Sequence, residues 1–448
     1  MAADVEKLRE SLTGDVLTPA DHEYDKARLC FNLLVTRKPA AIVRCVDARD
    51  VATALSFGQA NELEIAVRGG GHNPAGHCSV DDGLVIDLSR MRNVVVDPER
   101  RVAVSGGGAT WLDFDQATQA HGLVTPGGVV GSTGVTGLTL GGGIGHLTAQ
   151  HGLTCDGLLG AEVVTPAGEV VRAGEDGDPE LLWGLRGAGG NFGVVTRAEF
   201  RLHPLERVVG GRFDYEGDEE VRATLRAFRD ADATAGKEIS IQAQIASNDD
   251  LTPTLTVFPC YTGPDGDTEE IRALRATPGL VADGVREQTF LDQQLNLNPG
   301  YGVDRNYWKG HFVTELPDEL IDILVDSMGA IGRPPGAILI ESLRGGPKDV
   351  DPESAALGYR DAAFNVSVMA DWLDPALDEE SIGWARATAK AIEPWSVSGG
   401  YANYMQADEP LERVRAAFGP DSFERLQALK SRYDPGNVLH RNQNIPPR

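Results

Sequence analysis

Glycine restricts what this chain can fold into more than any other residue. It gathers in three clusters: Arg68-Gly-Gly-Gly-His72, the run from Pro126 through Gly134 to Gly145, and Leu185-Arg-Gly-Ala-Gly-Gly-Asn-Phe-Gly-Val-Val195. A residue without a Cβ weakens helices and strands, and it suits places where the backbone turns sharply or approaches another group closely. So many glycines do not build self-sufficient elements. They fit a backbone wrapped around a large planar or charged ligand, with turn N–H groups available to cradle phosphates; a glycine-rich barrel corner is the structural alternative. The first cluster lacks GxGxxG spacing ahead of a helix, so it is not the fingerprint of a doubly wound dinucleotide fold. The triphosphate-loop pattern GxxxxGK[ST] is also missing.

Short apolar runs surround the clusters. Ala41–Val46, Glu64–Val67, Leu84–Leu88 and Val102–Val104 are predicted strands, with helices over 50–61 and Trp111–His121. Ala161–Thr165 and Glu169–Arg172 form a predicted hairpin about Pro166-Ala-Gly168, and Asp178 caps a helix that has Pro179 at its first position. Glycine-rich loops give way to longer elements after Pro204. Helices are predicted over 217–235, 267–276, 317–329 and 377–393. Strands are predicted over Gly210–Tyr215, Ile239–Ile245, Thr254–Phe258, Ala337–Glu341 and Asn365–Met369. These read as an antiparallel sheet covered by helices. Helices over 409–418 and 421–432 precede the turn Tyr433-Asp-Pro-Gly-Asn437 and a polar tail.

The 448 residues leave room for two domains at roughly 150 residues or more each. The formal net charge of −26 repels phosphate backbones and anionic lipid, which argues against nucleic acid and membrane as partners. No apolar run reaches the ~18 residues that span a bilayer. The N-terminus is polar and acidic rather than leader-like, so a soluble cytoplasmic protein is expected. Five cysteines, an odd number without a CxxC pair, argue against a disulfide framework and a structural zinc site, and no metal is expected.

The order of the three clusters, with Tyr433-Asp-Pro-Gly-Asn437 and Asn442-Gln-Asn444 at the end, resembles the berberine-bridge-enzyme-like branch of the vanillyl-alcohol-oxidase flavoproteins. The resemblance is strong over 40–200 and 430–446. Elsewhere it rests on layout and on Tyr401-Ala-Asn-Tyr404. It implies an α+β fold: a two-part PCMH-type FAD-binding domain, residues 1–205 and 406–448, and a substrate-binding domain, residues 206–405, with an antiparallel sheet covered by helices.

The resemblance also implies FAD bonded through its C8α methyl to His72, with His77 a poorer candidate five residues on. Relatives with a second link carry a cysteine where this chain has Val130, so a single link is expected. Thr133 stands where family members control oxygen access, and a small residue there goes with oxidases. Tyr404 matches the family's catalytic tyrosine; a free tyrosine titrates near ~10, so its neighbours must help it. Tyr401 shares the catalytic motif or lines the ring. Further flavin contacts are expected from Arg68, Gly69, Gly70, Gly71, Gly76 and His77, with Arg68 directed to the phosphates. Others are expected from Val130, Gly137, Leu138, Gly141, Gly142, Gly145, Val195, Asn442 and Asn444. Asn403, Gln406, Tyr307, His311 and Glu341 are possible substrate-site groups. The function implied is an FAD-dependent oxidase. It would take a hydride from a C–OH or C–N carbon of a small or medium polar substrate and reduce molecular oxygen to hydrogen peroxide. A dehydrogenase, a flavin-N5-oxide-type oxygenase and a non-catalytic flavin-binding redox module are the alternatives.

Overall fold

The structure is a computed structural model and describes residues 2–264, 266–296, 304–397 and 399–448. The strands Ala41–Arg44, Leu84–Asp87 and Ile65–Arg68 run parallel, with Asp15–Leu17 antiparallel at the edge. They are apolar on almost every residue because parallel strands are covered on both faces. Helix Ala48–Ala60 begins where the Asp47 carboxylate accepts the Asp50 N–H. It packs Val51, Ala54 and Leu55 against Ile65, Leu84 and Ile86.

A second, antiparallel sheet has the order Val94–Asp97, Val102–Gly106, Val194–Arg201, Leu158–Val164, Val170–Gly174. The last two strands form the hairpin that the Pro166-Ala-Gly168 turn predicts. Helix Trp111–Gln119 opens on a capping box between Thr110 and Asp113. It buries Trp111 and Phe114, and Phe114 meets Phe200 edge-on at 5.4 Å. Helix Pro179–Leu185 is capped by Asp178, as expected.

Among the described residues the largest sheet has nine strands. Seven follow in the order Leu280–Asp283, Phe213–Glu216, Pro253–Tyr261, Ile239–Ser247, Gly336–Ser342, Phe364–Trp372, Arg305–Val313, all antiparallel. Helices Asp218–Thr234, Asp318–Asp326 and Asp378–Ile392 cover one face. There Leu225, Phe228, Leu320 and Trp384 share a core with Ile241, Ile340, Val366 and Val368. Strand alternation turns the intervening residues to the opposite face. Gln242, Glu341 and Asn365 sit side by side in register on that face, and Leu339 and Trp308 reach from it into the cavity described below.

Three local readings change. The strand predicted over Gly210–Tyr215 is two strands, Arg207–Gly210 and Phe213–Glu216, broken at Gly211, whose φ is +131°. Arg305–Val313, unpredicted, pairs along its whole length with Phe364–Trp372. The second glycine run contains a short helix, Val135–Leu140. Among the described residues no helix is long and apolar enough to cross a membrane.

Candidate functional site

The three glycine clusters converge on one cavity, roofed by the open face of the large sheet. Gly69, Gly70, Gly71 and His72 leave the end of strand Ile65–Arg68 and form one wall. Here glycine has two distinct uses. A Cβ on Gly70 would overlap the backbone of Gly134, and one on Gly134 would overlap Gly70, so the first two clusters meet backbone to backbone. Gly137, Gly189 and Gly190 line the cavity instead, and a Cβ on any of them would meet no heavy atom within 4 Å. Their missing side chains leave space for a ligand to approach the main chain.

His72 is fixed by its neighbours. Phe31 stacks on its ring at 4.9 Å and 11° between planes, and Thr133 Oγ1 lies 3.3 Å from its Nδ1. Burial pulls its pKa down to about 4, so the imidazole is neutral near pH 7 and keeps a lone pair for bonding. Burial also lowers His77 to about 4, helped by Arg441 and Arg37, and its Nε2 has no hydrogen-bond partner among the described residues.

Across the cavity stands a cluster of aromatic rings. Tyr404 meets Trp308 at 5.3 Å and 87°, and Tyr401 at 4.7 Å and 77°. The hydroxyls of the two tyrosines are used differently. Tyr401 Oη accepts from the Gly143 N–H at 3.0 Å and from Asn403 Nδ2 at 2.9 Å, and burial pushes its pKa up. These two contacts fix it as part of the cavity wall. Tyr404 hydrogen-bonds Glu341, a fully buried carboxyl whose Oε2 also accepts from Asn365 Nδ2 at 2.7 Å. Burial raises Glu341 to about 7, against the lowering by Asn365 and Tyr404.

Of the expected site residues, His72, Gly69, Gly70, Gly71, His77, Val130, Thr133, Gly137, Leu138, Gly141, Val195, Tyr401, Asn403, Tyr404 and Asn442 line this one cavity. Arg68 does not. Its buried guanidinium is paired with Asp87 at 2.7 Å and reaches the Leu29 carbonyl at 3.3 Å, so it is spent inside the protein. Arg441 lines the cavity in its stead and contacts Glu64 at 2.9 Å. Gly76, Gly142 and Gly145 also stand off the cavity, packed against Val35, Tyr359 and Gly127. Asn444 is not among the lining residues, and its Oδ1 is buried without a partner among the described residues. Tyr307 and His311 face away, toward Asp408 and Ser396. Sequence reading missed Phe31 and Trp308 and left Glu341 unplaced. Glu341 carries one signal: a lone carboxylate in an otherwise apolar strand.

The lining suits FAD. A glycine cradle suits its phosphates, and the apolar side chains Val67, Leu88, Val129 and Val194 suit a flat ring system. Asn442 Oδ1, buried without a partner among the described residues, offers an acceptor at the cavity edge. Comparison with known proteins agrees. Residues 39–174 match the family model described as FAD binding domain, and residues 400–446 match berberine and berberine like. The (R)-6-hydroxynicotine oxidase of Paenarthrobacter nicotinovorans is 30% identical over 450 residues, 98% of this chain and 97% of that protein. The crystal structure of 6-hydroxy-D-nicotine oxidase from Arthrobacter nicotinovorans covers 98% of this chain and 99% of its own, with 29% identity and a TM-score of 0.87. The glucooligosaccharide oxidase of Acremonium strictum, which carries a 6-S-cysteinyl, 8α-N1-histidyl FAD, shares the fold. Its TM-score is 0.87 at 23% identity, over 99% of each chain.

Proposed function

The chain belongs to the berberine-like FAD-linked oxidoreductases, and from that premise we propose that it is an oxidase with hydrogen peroxide as its product. Its substrate is a small or medium molecule that gives up a hydride from a C–OH or C–N carbon. The observation that carries this reading is the pairing of Tyr404 with Glu341 across the cavity from His72. When bound, FAD supplies the two-electron acceptor and hands the electrons on to oxygen. The protein's own residues manage the proton. As hydride leaves the substrate carbon, the O–H or N–H proton passes to the Tyr404 oxygen while the Tyr404 proton passes to Glu341. Asn365 holds the receiving carboxylate in place. Trp308 and Leu339 supply an apolar surface for the body of the substrate, which favours a ring or alkyl framework over a fully hydroxylated one. We take residues 1–205 and 406–448 as the flavin-binding part and 206–405 as the substrate part.

Glu341 sets the pH dependence. A carboxyl accepts a proton only when ionised, and burial holds this one at about 7. With substrate in excess under anaerobic conditions, the rate of flavin reduction should fall tenfold per pH unit below about 7 and level off above it. Glu341→Gln should abolish that limb as well as slow the reaction. An unchanged limb in the variant would show that another group titrates.

Thr133, beside His72 on the cavity wall, is the proposed oxygen gate. Thr133→Leu should slow reoxidation of the reduced holoenzyme by oxygen at least tenfold and leave reduction by substrate nearly unchanged. Stopped-flow mixing with aerated buffer, with flavin content checked first, reads this directly. Reoxidation at the wild-type rate would remove Thr133 from that role.

A further inference from the structure

All five cysteines are buried and unbridged, but two of them differ from the rest. Cys30 and Cys78, 48 positions apart in sequence, bring their Sγ atoms to 3.3 Å. Cys78 lines the cavity next to His72 and His77. The surroundings tie both sulfurs to the loop that carries His72. The Phe31 N–H donates to the Gly71 carbonyl at 3.2 Å, and the Cys78 thiol reaches the same carbonyl at 3.8 Å. Phe31, next to Cys30 in the chain, is the residue stacked on His72. Asn32 fastens this segment from the other side, donating to the Pro74 carbonyl at 2.8 Å and to the Asn306 carbonyl at 2.7 Å.

We propose that Cys30 and Cys78 form a reversible dithiol–disulfide site that staples the Phe31 segment to the His72 loop. The geometry favours it. Sulfurs at 3.3 Å need to close by only about an ångström to reach the ~2.05 Å of a disulfide. The thiols also differ in acidity, as thiol exchange requires. Cys30 is made more acidic by the hydrogen bond from Cys78 and by the nearby Arg68 and Arg37 guanidiniums, against burial. Cys45, Cys155 and Cys260 are held in the thiol form by burial.

The oxidant is a hydroperoxide. One sulfur, as thiolate, attacks a peroxide oxygen; the O–O bond breaks, hydroxide leaves and a sulfenic acid forms. The second sulfur then displaces the sulfenic hydroxyl, making the S–S bond and releasing water. Two thiols and one hydrogen peroxide give one disulfide and two waters, and the two electrons come from the sulfurs. Peroxide from any source serves, so the proposal does not rest on the oxidase reading.

The test uses the holoenzyme, reduced, freed of reductant and treated with a small excess of hydrogen peroxide. It is then denatured, alkylated and digested without reduction for mass spectrometry. The expected result is a cross-linked peptide joining Cys30 to Cys78, with titratable thiols falling from five to three and dithiothreitol restoring five. Cys30→Ser and Cys78→Ser should each lose the cross-link. Retention of all five thiols would overturn the proposal, as would a cross-link between other cysteines or over-oxidation of Cys30 with Cys78 untouched. Each of these results is read on the wild-type protein, so the outcome does not depend on either variant folding.

Discussion

Tyr404→Phe should slow flavin reduction by substrate about a thousandfold, within the ~10²–10⁴ that a positioned proton-transfer group contributes. The substitution removes the hydroxyl that bonds Glu341 and leaves the ring. The edge-on contacts with Trp308 at 5.3 Å and Tyr401 at 4.7 Å survive, so the wall of the cavity and the binding of substrate should change little. The loss should therefore fall on the reduction rate constant and not on the apparent substrate dissociation constant, both read by anaerobic stopped-flow. A second signature follows from the sign of the hydrogen bond. Tyr404 lowers the Glu341 pKa, so its removal should move the remaining pH limb upward. A reduction rate within tenfold of wild type would take Tyr404 out of the chemistry.

His72→Ala should abolish covalent flavin. Acid-precipitated wild-type protein on a denaturing gel should fluoresce under ultraviolet light, and the variant band should be dark. The ring is oriented by Phe31 and Thr133 and kept neutral by burial, the state in which an imidazole nitrogen can bond to carbon. No thiol stands at Val130 to make a second link, so the loss should be complete and not partial. The cradle of Gly137, Gly189 and Gly190 is untouched by the substitution, so some FAD should stay bound and appear in the acid supernatant. A fluorescent variant band would mean that another residue anchors the flavin.

Much of the site was legible because its physics is local. The three clusters stand out as backbone without side chains, and they meet at one cavity. What depends on partners far along the chain was not legible. Arg68 precedes three glycines and reads as a phosphate ligand, yet it faces Asp87 in the register of two parallel strands, a pairing that sequence does not display. Strand Arg305–Val313 escaped because its buried side chains do not read as apolar. Lys309 is neutralised by Asp408 and Glu409, about a hundred positions away, at 3.1 and 2.7 Å. Helix Val135–Leu140 escaped because an interior glycine costs about 1 kcal/mol in a helix. Burial of Val135 and Leu140 offsets that cost, and the space beside Gly137 is where a ligand would sit. Glu341 was seen as a residue but not as a partner, since its bond to Tyr404 exists only once the large sheet meets the C-terminal segment.

The backbone contact between Gly70 and Gly134 also limits how this protein can vary. Most steric faults in a protein can be repaired by trimming the side chain that is struck. Here each residue strikes the main chain of the other, and both partners are already as small as an amino acid can be. No exchange at one position can compensate for a change at the other. At this contact the two loops can change only together with the path of the main chain.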